Sequence, residues 1–192
     1  MTKNFSGTLF LVVGNSGSGK DSIISGVVEK CSPSLTQIYA PKRYITRSAS
    51  DSEKNISITP EKFKDMQEKG RFALRWHIYN LDYGIPIEID DWLKKGTSVI
   101  INVSRQIVKE AKEIYANVKV VFIYVPLELT NKRLKERARE DSVLLKERIE
   151  RARNNQLFPE ADFTIDNTGK LDGSINQFLD YLVSCTNKNL KR

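Results

Sequence analysis

Along the chain, short continuous apolar runs alternate with stretches in which apolar residues recur every three or four positions. Residues 8–13 form a β-branched-rich run that reads as a strand buried on both faces of a parallel sheet. Residues 21–29 follow with apolar positions 23, 24, 27 and 28, the spacing of a helix. Between 31 and 80 regularity falls and polar residues dominate. The exception is 61–69, a helix with Thr59 and Pro60 at its start and Gly70 at its end. Pro86 and Gly96 bracket a short helix over 87–95, after which 97–103 returns to buried-strand composition. A helix over 105–116 and a strand over 118–125 complete a β-α-β alternation. Pro126 ends that strand. Residues 127–140 and 142–155 read as two basic helices, with a break near 140–142 and Ser142 as the second N-cap. A strand over 162–165, a turn over 167–169 and an amphipathic helix over 171–184 close the chain.

The break between the first strand and first helix carries the chemistry. Gly14, Asn15, Ser16, Gly17, Ser18, Gly19 and Lys20 satisfy the pattern glycine, four residues, glycine, lysine. Glycines permit torsions that let successive backbone N–H groups converge on phosphate oxygens, and the following helix start adds its positive end. Lys20 brings a formal cation to the β and γ phosphates. The next residue, commonly a Ser or Thr whose hydroxyl meets Mg²⁺, is Asp21, followed by Ser22. A carboxylate is a hard oxygen ligand for Mg²⁺ and also a repellent of phosphate, and the sequence leaves both roles open for Asp21.

Composition narrows the classes. The chain has 192 residues and a mass of 22.0 kDa, the size of one domain that folds without disulfides or metals. Hydrophobic residues at 40% and charged ones at 29% exclude a largely disordered protein. The apolar runs are far shorter than the roughly 20 residues of a spanning helix. No secretory signal pattern precedes the first strand, so a cytoplasmic location is expected. Cys31 and Cys185 stand in unrelated contexts and suggest neither a disulfide framework nor a zinc site. The net charge is +7, but much of the basic excess in 132–139 and 146–153 is interleaved with Glu136, Glu140, Glu147 and Glu150. That pattern describes salt-bridged helix surface carrying a few functional arginines.

Together these blocks resemble the guanylate kinase-like group of P-loop kinases, and within it the subgroup that phosphorylates ribose 1,5-bisphosphate. The matching residues are the loop through Ser22, Arg43-Tyr-Ile-Thr-Arg47 with the 52–55 block, Trp76-His77 before Tyr83-Gly84, Asn102-Val-Ser-Arg105, and the basic helices. A lysine-aspartate-serine close to the loop is a trait of that subgroup. The resemblance implies a parallel core sheet flanked by helices, with core residues 1–39, 87–132 and 152–192, an acceptor lobe at about 40–86 and a helical lid at about 133–151. It implies ATP and Mg²⁺ as cofactors and 5-phosphoribosyl 1-diphosphate, made during phosphonate breakdown, as product.

The same resemblance assigns residues. Arg47 and Tyr83 match positions that bind the acceptor's phosphate, and Arg43 and Arg105 join them as acceptor-side cations. A second arginine of the family is missing within 48–52. By spacing from Tyr83-Gly84, the glutamate that reads guanine in guanylate kinases is replaced by His77, which makes GMP a poor acceptor. Arg133, Arg137 and Arg139 on the first basic helix and Arg148 and Arg151 on the second are lid arginines; family position favours Arg137 and Arg148 as catalytic. Asn167 falls where such kinases contact adenine. The expected partners are a small sugar phosphate and ATP, without nucleic acid or membrane; a homodimer is left open. Two other readings stand beside this one: a guanylate kinase, and a binding module of the same fold that has lost catalysis.

Overall fold

The computed structural model describes residues 1–32, 37–47, 55–137 and 142–189. In chain order these form β1 (Leu9–Gly14), α1 (Lys20–Lys30), β2 (Ile38–Tyr39), β3 (Tyr44–Ile45), β4 (Ile56–Ser57), α2 (Pro60–Glu68), β5 (Phe72–Ile78), β6 (Leu81–Pro86), α3 (Ile89–Lys94) and β7 (Ser98–Asn102). A 3-10 turn at Arg105–Ile107 leads into α4 (Val108–Ile114), β8 (Val118–Tyr124), α5 (Leu127–Arg137), α6 (Ser142–Asn154), β9 (Phe163–Asp166) and α7 (Leu171–Asn189). One sheet has the order β2-β7-β1-β8-β9, with β2 and β7 parallel and β8 and β9 parallel. The apolar runs read as strands are there, and Leu9 to Val13 are all fully buried, as a strand covered on both faces requires.

Internal contacts divide the chain into two compact units, Met1–Leu11 with Gln37–Val118, and Val12–Thr36 with Lys119–Arg192. The first contains a second sheet that the pattern of residues 31–80 did not reveal, in the order β4-β3-β6-β5. Three features hid it. Strands β3 and β4 are two residues each, too short to show alternation. β6 is apolar over its second half, so only β5 alternates clearly, with Leu74 and Trp76 buried and Arg75 and His77 exposed. The turn between β5 and β6 is Tyr79-Asn80, both at φ 55°, the two-residue geometry that hairpins favour but without the glycine that usually signals it.

In this first unit α2 begins as expected, with the Thr59 hydroxyl accepting a hydrogen bond from Lys62 N at 3.2 Å. The helix placed at 105–116 starts instead as a 3-10 turn and ends at Ile114. The N-terminal segment is held by Asp90, 8% exposed, whose carboxylate takes Lys3 Nζ at 2.6 Å and the Tyr115 hydroxyl at 2.7 Å. Burial, and then the hydrogen bond to the Asp90 carboxylate, push the Tyr115 phenol far above its ordinary pKa, so it remains a donor.

The second unit packs α1 against α7. A side chain at Gly26 would run into Ile175 of α7, so the helices approach as closely as glycine allows. α7 extends five residues beyond the expected 184. Of the break expected near 140–142, residues 140 and 141 lie outside the described ones, and Ser142, expected as the N-cap, is the first residue of α6.

Removing the Tyr115 hydroxyl leaves a buried carboxylate short of one donor. Tyr115→Phe is expected to lower stability by about 2 kcal/mol, measured as a shifted midpoint in urea unfolding; an unmoved midpoint would show that this bond contributes nothing net.

Candidate active site

The phosphate loop runs from the end of β1 into α1. Gly17 and Gly19 take φ of 81° and 86°, the left-handed region. Gly19 has a second reason to be glycine: a Cβ there would stand 2.5 Å from Asn167 Nδ2. Lys20 Nζ turns back over the loop, donating to Gly14 O and Asn15 O, both at 2.8 Å, with Ser18 Oγ at 3.4 Å. A single ammonium thus gathers two of the loop's carbonyl oxygens.

Cations from the basic helices reach this loop. Arg148 of α6 donates to Ser16 Oγ at 3.1 Å. Arg133 of α5 donates to Gly17 O at 3.4 Å and Asn167 O at 3.3 Å. Arg137 is the last residue of α5, and its side chain, like all of Arg139, lies outside the described residues. Arg151 is half-buried on α6.

Asn167 is 4% exposed and holds the loop from the other side, donating to Ser18 O at 2.8 Å and accepting from Ser174 Oγ at 2.9 Å. Beside it opens a cleft of about 360 Å³, lined by Gly17, Gly19, Ser22, Arg133, Glu136 and Asn167, together with Gly169 and Leu171. Its walls are loop backbone, one face of α5 and the segment after β9. That volume suits a nucleoside whose phosphates lie along the loop. Arg133 and Glu136, three apart on α5, share the face that lines it. The sequence had named Arg133 among several lid arginines without singling it out, and Glu136 only as helix surface.

The Mg²⁺ that such chemistry uses is bound through one or two oxygen ligands plus substrate phosphates, not by a protein cage. Among the described residues no group of three His, Cys, Asp or Glu side chains gathers to hold a metal. Asp21 is exposed in the first turn of α1 and Ser22 lines the cleft, so the residues present fit a phosphate-borne Mg²⁺.

Of the residues expected on the acceptor side, Tyr83 lies in the second sheet and Arg43 beside it. Tyr83 of β6, 9% exposed, pairs across the ladder with Trp76 of β5, and their rings stack at 5.2 Å and 2°. Arg43 lies over the Tyr83 ring at 5.6 Å and is braced by Asn55 Oδ1 at 2.9 Å and Asn102 O at 3.3 Å. The structure therefore brings Arg43, Tyr83 and the end of β7 together. Arg47 is half-buried in the bend after β3, and Arg105 is half-buried at the first position of the 3-10 turn. His77 does not join the Tyr83 face. Successive strand residues point to opposite sides, and His77 pairs with Asp82 across the ladder, its Nδ1 2.8 Å from Asp82 Oδ1, with 60% of its side chain exposed. Trp76, noticed in the sequence only as part of a matching block, is the residue beneath Tyr83.

The sequence matches the guanylate kinase family over residues 6–184. The chain belongs to the guanylate kinase family. Among members of this group it is 37% identical over 163 residues to a ribose 1,5-bisphosphate phosphokinase PhnN of Rhodopseudomonas palustris, covering 85% of this chain and 81% of that one. It is 36% identical over 180 residues to a protein of the same name from Klebsiella pneumoniae, covering 93% and 94%. A guanylate kinase structure from Anaplasma phagocytophilum superposes with a TM-score of 0.72 over 97% of this chain and 89% of its own, at 19% identity. The α/β guanylate kinase-like fold expected from the sequence is thereby established, and the chain's named relatives are kinases. Among the described residues no helix is long and apolar enough to cross a membrane.

In this guanylate kinase family member, Gly19→Ala combines a left-handed backbone with a clash against Asn167. It is expected to weaken binding of a non-hydrolysable ATP analogue by about tenfold or more in calorimetry; wild-type affinity would show that the loop adapts.

Proposed function

We propose that the protein transfers the terminal phosphoryl group of ATP to the 1-phosphate of ribose 1,5-bisphosphate, forming 5-phosphoribosyl 1-diphosphate. The observation that carries this is identity over most of the chain with relatives named for that activity, joined to a complete phosphate loop. The product points to phosphonate breakdown as its setting, and the cytoplasm is the compartment that fits.

The donor side consists of the loop and its cations. The backbone N–H groups of residues 14–20 and Lys20 hold the β and γ phosphates, and Asn167 and Arg133 frame the nucleoside. Mg²⁺, held by phosphate oxygens with Asp21 or Ser22, neutralises charge on the donor. Arg148 and Arg137 stabilise charge that spreads over the transferred group, and residues 133–151 act as the lid that carries them. On the acceptor side, residues 40–86 form the lobe that takes the sugar phosphate. Arg43, Arg47 and Tyr83 anchor it, and Arg105 adds a further cation. The attacking atom is a phosphate oxygen that is already anionic, so no strong general base is needed. His77 contributes from the other face of the hairpin, at the edge of the lobe. The partners are small molecules.

Leu74 and Trp76 beside Tyr83 offer a guanine edge no hydrogen-bond acceptor from β5, since the indole N–H only donates. Purified protein given ATP, Mg²⁺ and either ribose 1,5-bisphosphate or GMP is therefore expected to turn over the sugar bisphosphate far faster. Preference for GMP would make the chain a guanylate kinase; no turnover with any acceptor would leave a binding module. Lys20→Ala is expected to cost orders of magnitude in kcat with near wild-type thermal unfolding, and an unchanged rate would remove the loop from the mechanism.

A further inference from the structure

We propose that Asn15 is a positioning residue, tying the phosphate loop to the last turn of α6 and thereby setting where Arg148 stands over Ser16. The proposal rests on the kinase reading above and concerns a side chain that occupies the second position of the loop. Asn15 is 8% exposed, and its amide donates to Ala152 O at 3.2 Å and to Asn155 O at 3.1 Å. Its own carbonyl accepts from Lys20. The side chain is thus directed at a helix terminus, while the main chain keeps its place in the loop.

The arrangement on α6 gives this contact its consequence. Arg148 precedes Ala152 by four residues, so the two lie on one face of the helix. That face meets two successive loop residues, Arg148 at Ser16 and Ala152 at Asn15. Fixing the helix end fixes the placement of the guanidinium one turn earlier. Only an amide of this length carries two N–H donors able to meet two carbonyl acceptors; a carboxylate would oppose both.

The tie is distinct from the caps that α6 makes with its own following residues. The last carbonyls of a helix lack internal partners, and here Arg151 O accepts from Asn155 Nδ2 at 2.8 Å and Ala152 O from Gln156 Nε2 at 2.6 Å. Loss of the Asn15 amide therefore leaves those two carbonyls capped and removes one of the two links to the loop, the other being Arg148 on Ser16. An arginine displaced from a charge that develops during transfer slows the chemical step more than it weakens ground-state binding.

The test uses the full chain as Asn15→Ala, Arg148→Ala and the double variant, with ATP, Mg²⁺ and ribose 1,5-bisphosphate. Asn15→Ala is expected to lower kcat by about tenfold while affinity for a non-hydrolysable ATP analogue, read by calorimetry, stays within about twofold. The double variant is expected to be no slower than Arg148→Ala, because both changes remove one function. Amide hydrogen exchange over 149–154 is expected to quicken in Asn15→Ala without any acceptor present. Multiplicative losses in kcat, or unchanged exchange, would overturn the proposal. So would a tenfold loss of analogue affinity at unchanged kcat, which would make the side chain a nucleotide ligand. If Asn15→Ala proves too unstable to assay, Asn15→Ser, too short to span both carbonyls, is expected to give the same pattern. Wild-type inactivity on ribose 1,5-bisphosphate would sink the acceptor assignment alone, since calorimetry and exchange still decide the role of Asn15.

Discussion

One ammonium group held over two main-chain carbonyls organises the loop between β1 and α1. A loop that turns its N–H groups toward phosphate must turn its carbonyls elsewhere, and buried carbonyls need partners. Lys20 supplies one for Gly14 and Asn15, and Arg133 and the Asn167 amide supply others for Gly17 and Ser18. Each donor comes from a different element: the start of α1, the middle of α5 and the segment after β9. The loop's shape therefore depends on those elements being present and packed, and the glycines alone would not hold it.

The second sheet orders a cation over an aromatic face. Arg43 meets an aromatic face, a side-chain carbonyl and a backbone carbonyl. These contacts restrict the guanidinium's freedom, which lowers the ordering cost of any further contact it makes. Trp76 stiffens this further by stacking flat on Tyr83 from the neighbouring strand.

Much of this was legible in the sequence, for physical reasons. Leu9 to Val13, Val99 to Ile101 and Val120 to Ile123 are apolar because their strands are buried, so they read as strands without any structure. The loop was legible because glycine and lysine are demanded at fixed spacing. What escaped depends on pairing between distant residues. β3 and β4 exist only because they pair with each other and with β6, and two residues carry no period. The side to which His77 points follows from its strand's alternation, which became visible only once β5 was known to pair with β6 from Ile78 and Leu81 backwards. Asn15 read as one more loop residue, because nothing in its own neighbourhood announces a carbonyl of α6 that is 137 residues away in the chain.

The turn at Tyr79-Asn80 controls more than the direction of the chain. With both residues at φ 55° and Ile78 facing Leu81, it sets the count from which every later cross-strand partner is assigned. Because side chains change sides at each step, lengthening or shortening this turn by one residue would exchange the roles of the two surfaces: the phenol of Tyr83 would leave the indole it rests on, and the Asp82 carboxylate would take its place beneath the Arg43 guanidinium. The turn's length is thus a condition on the chemistry of a surface it never touches.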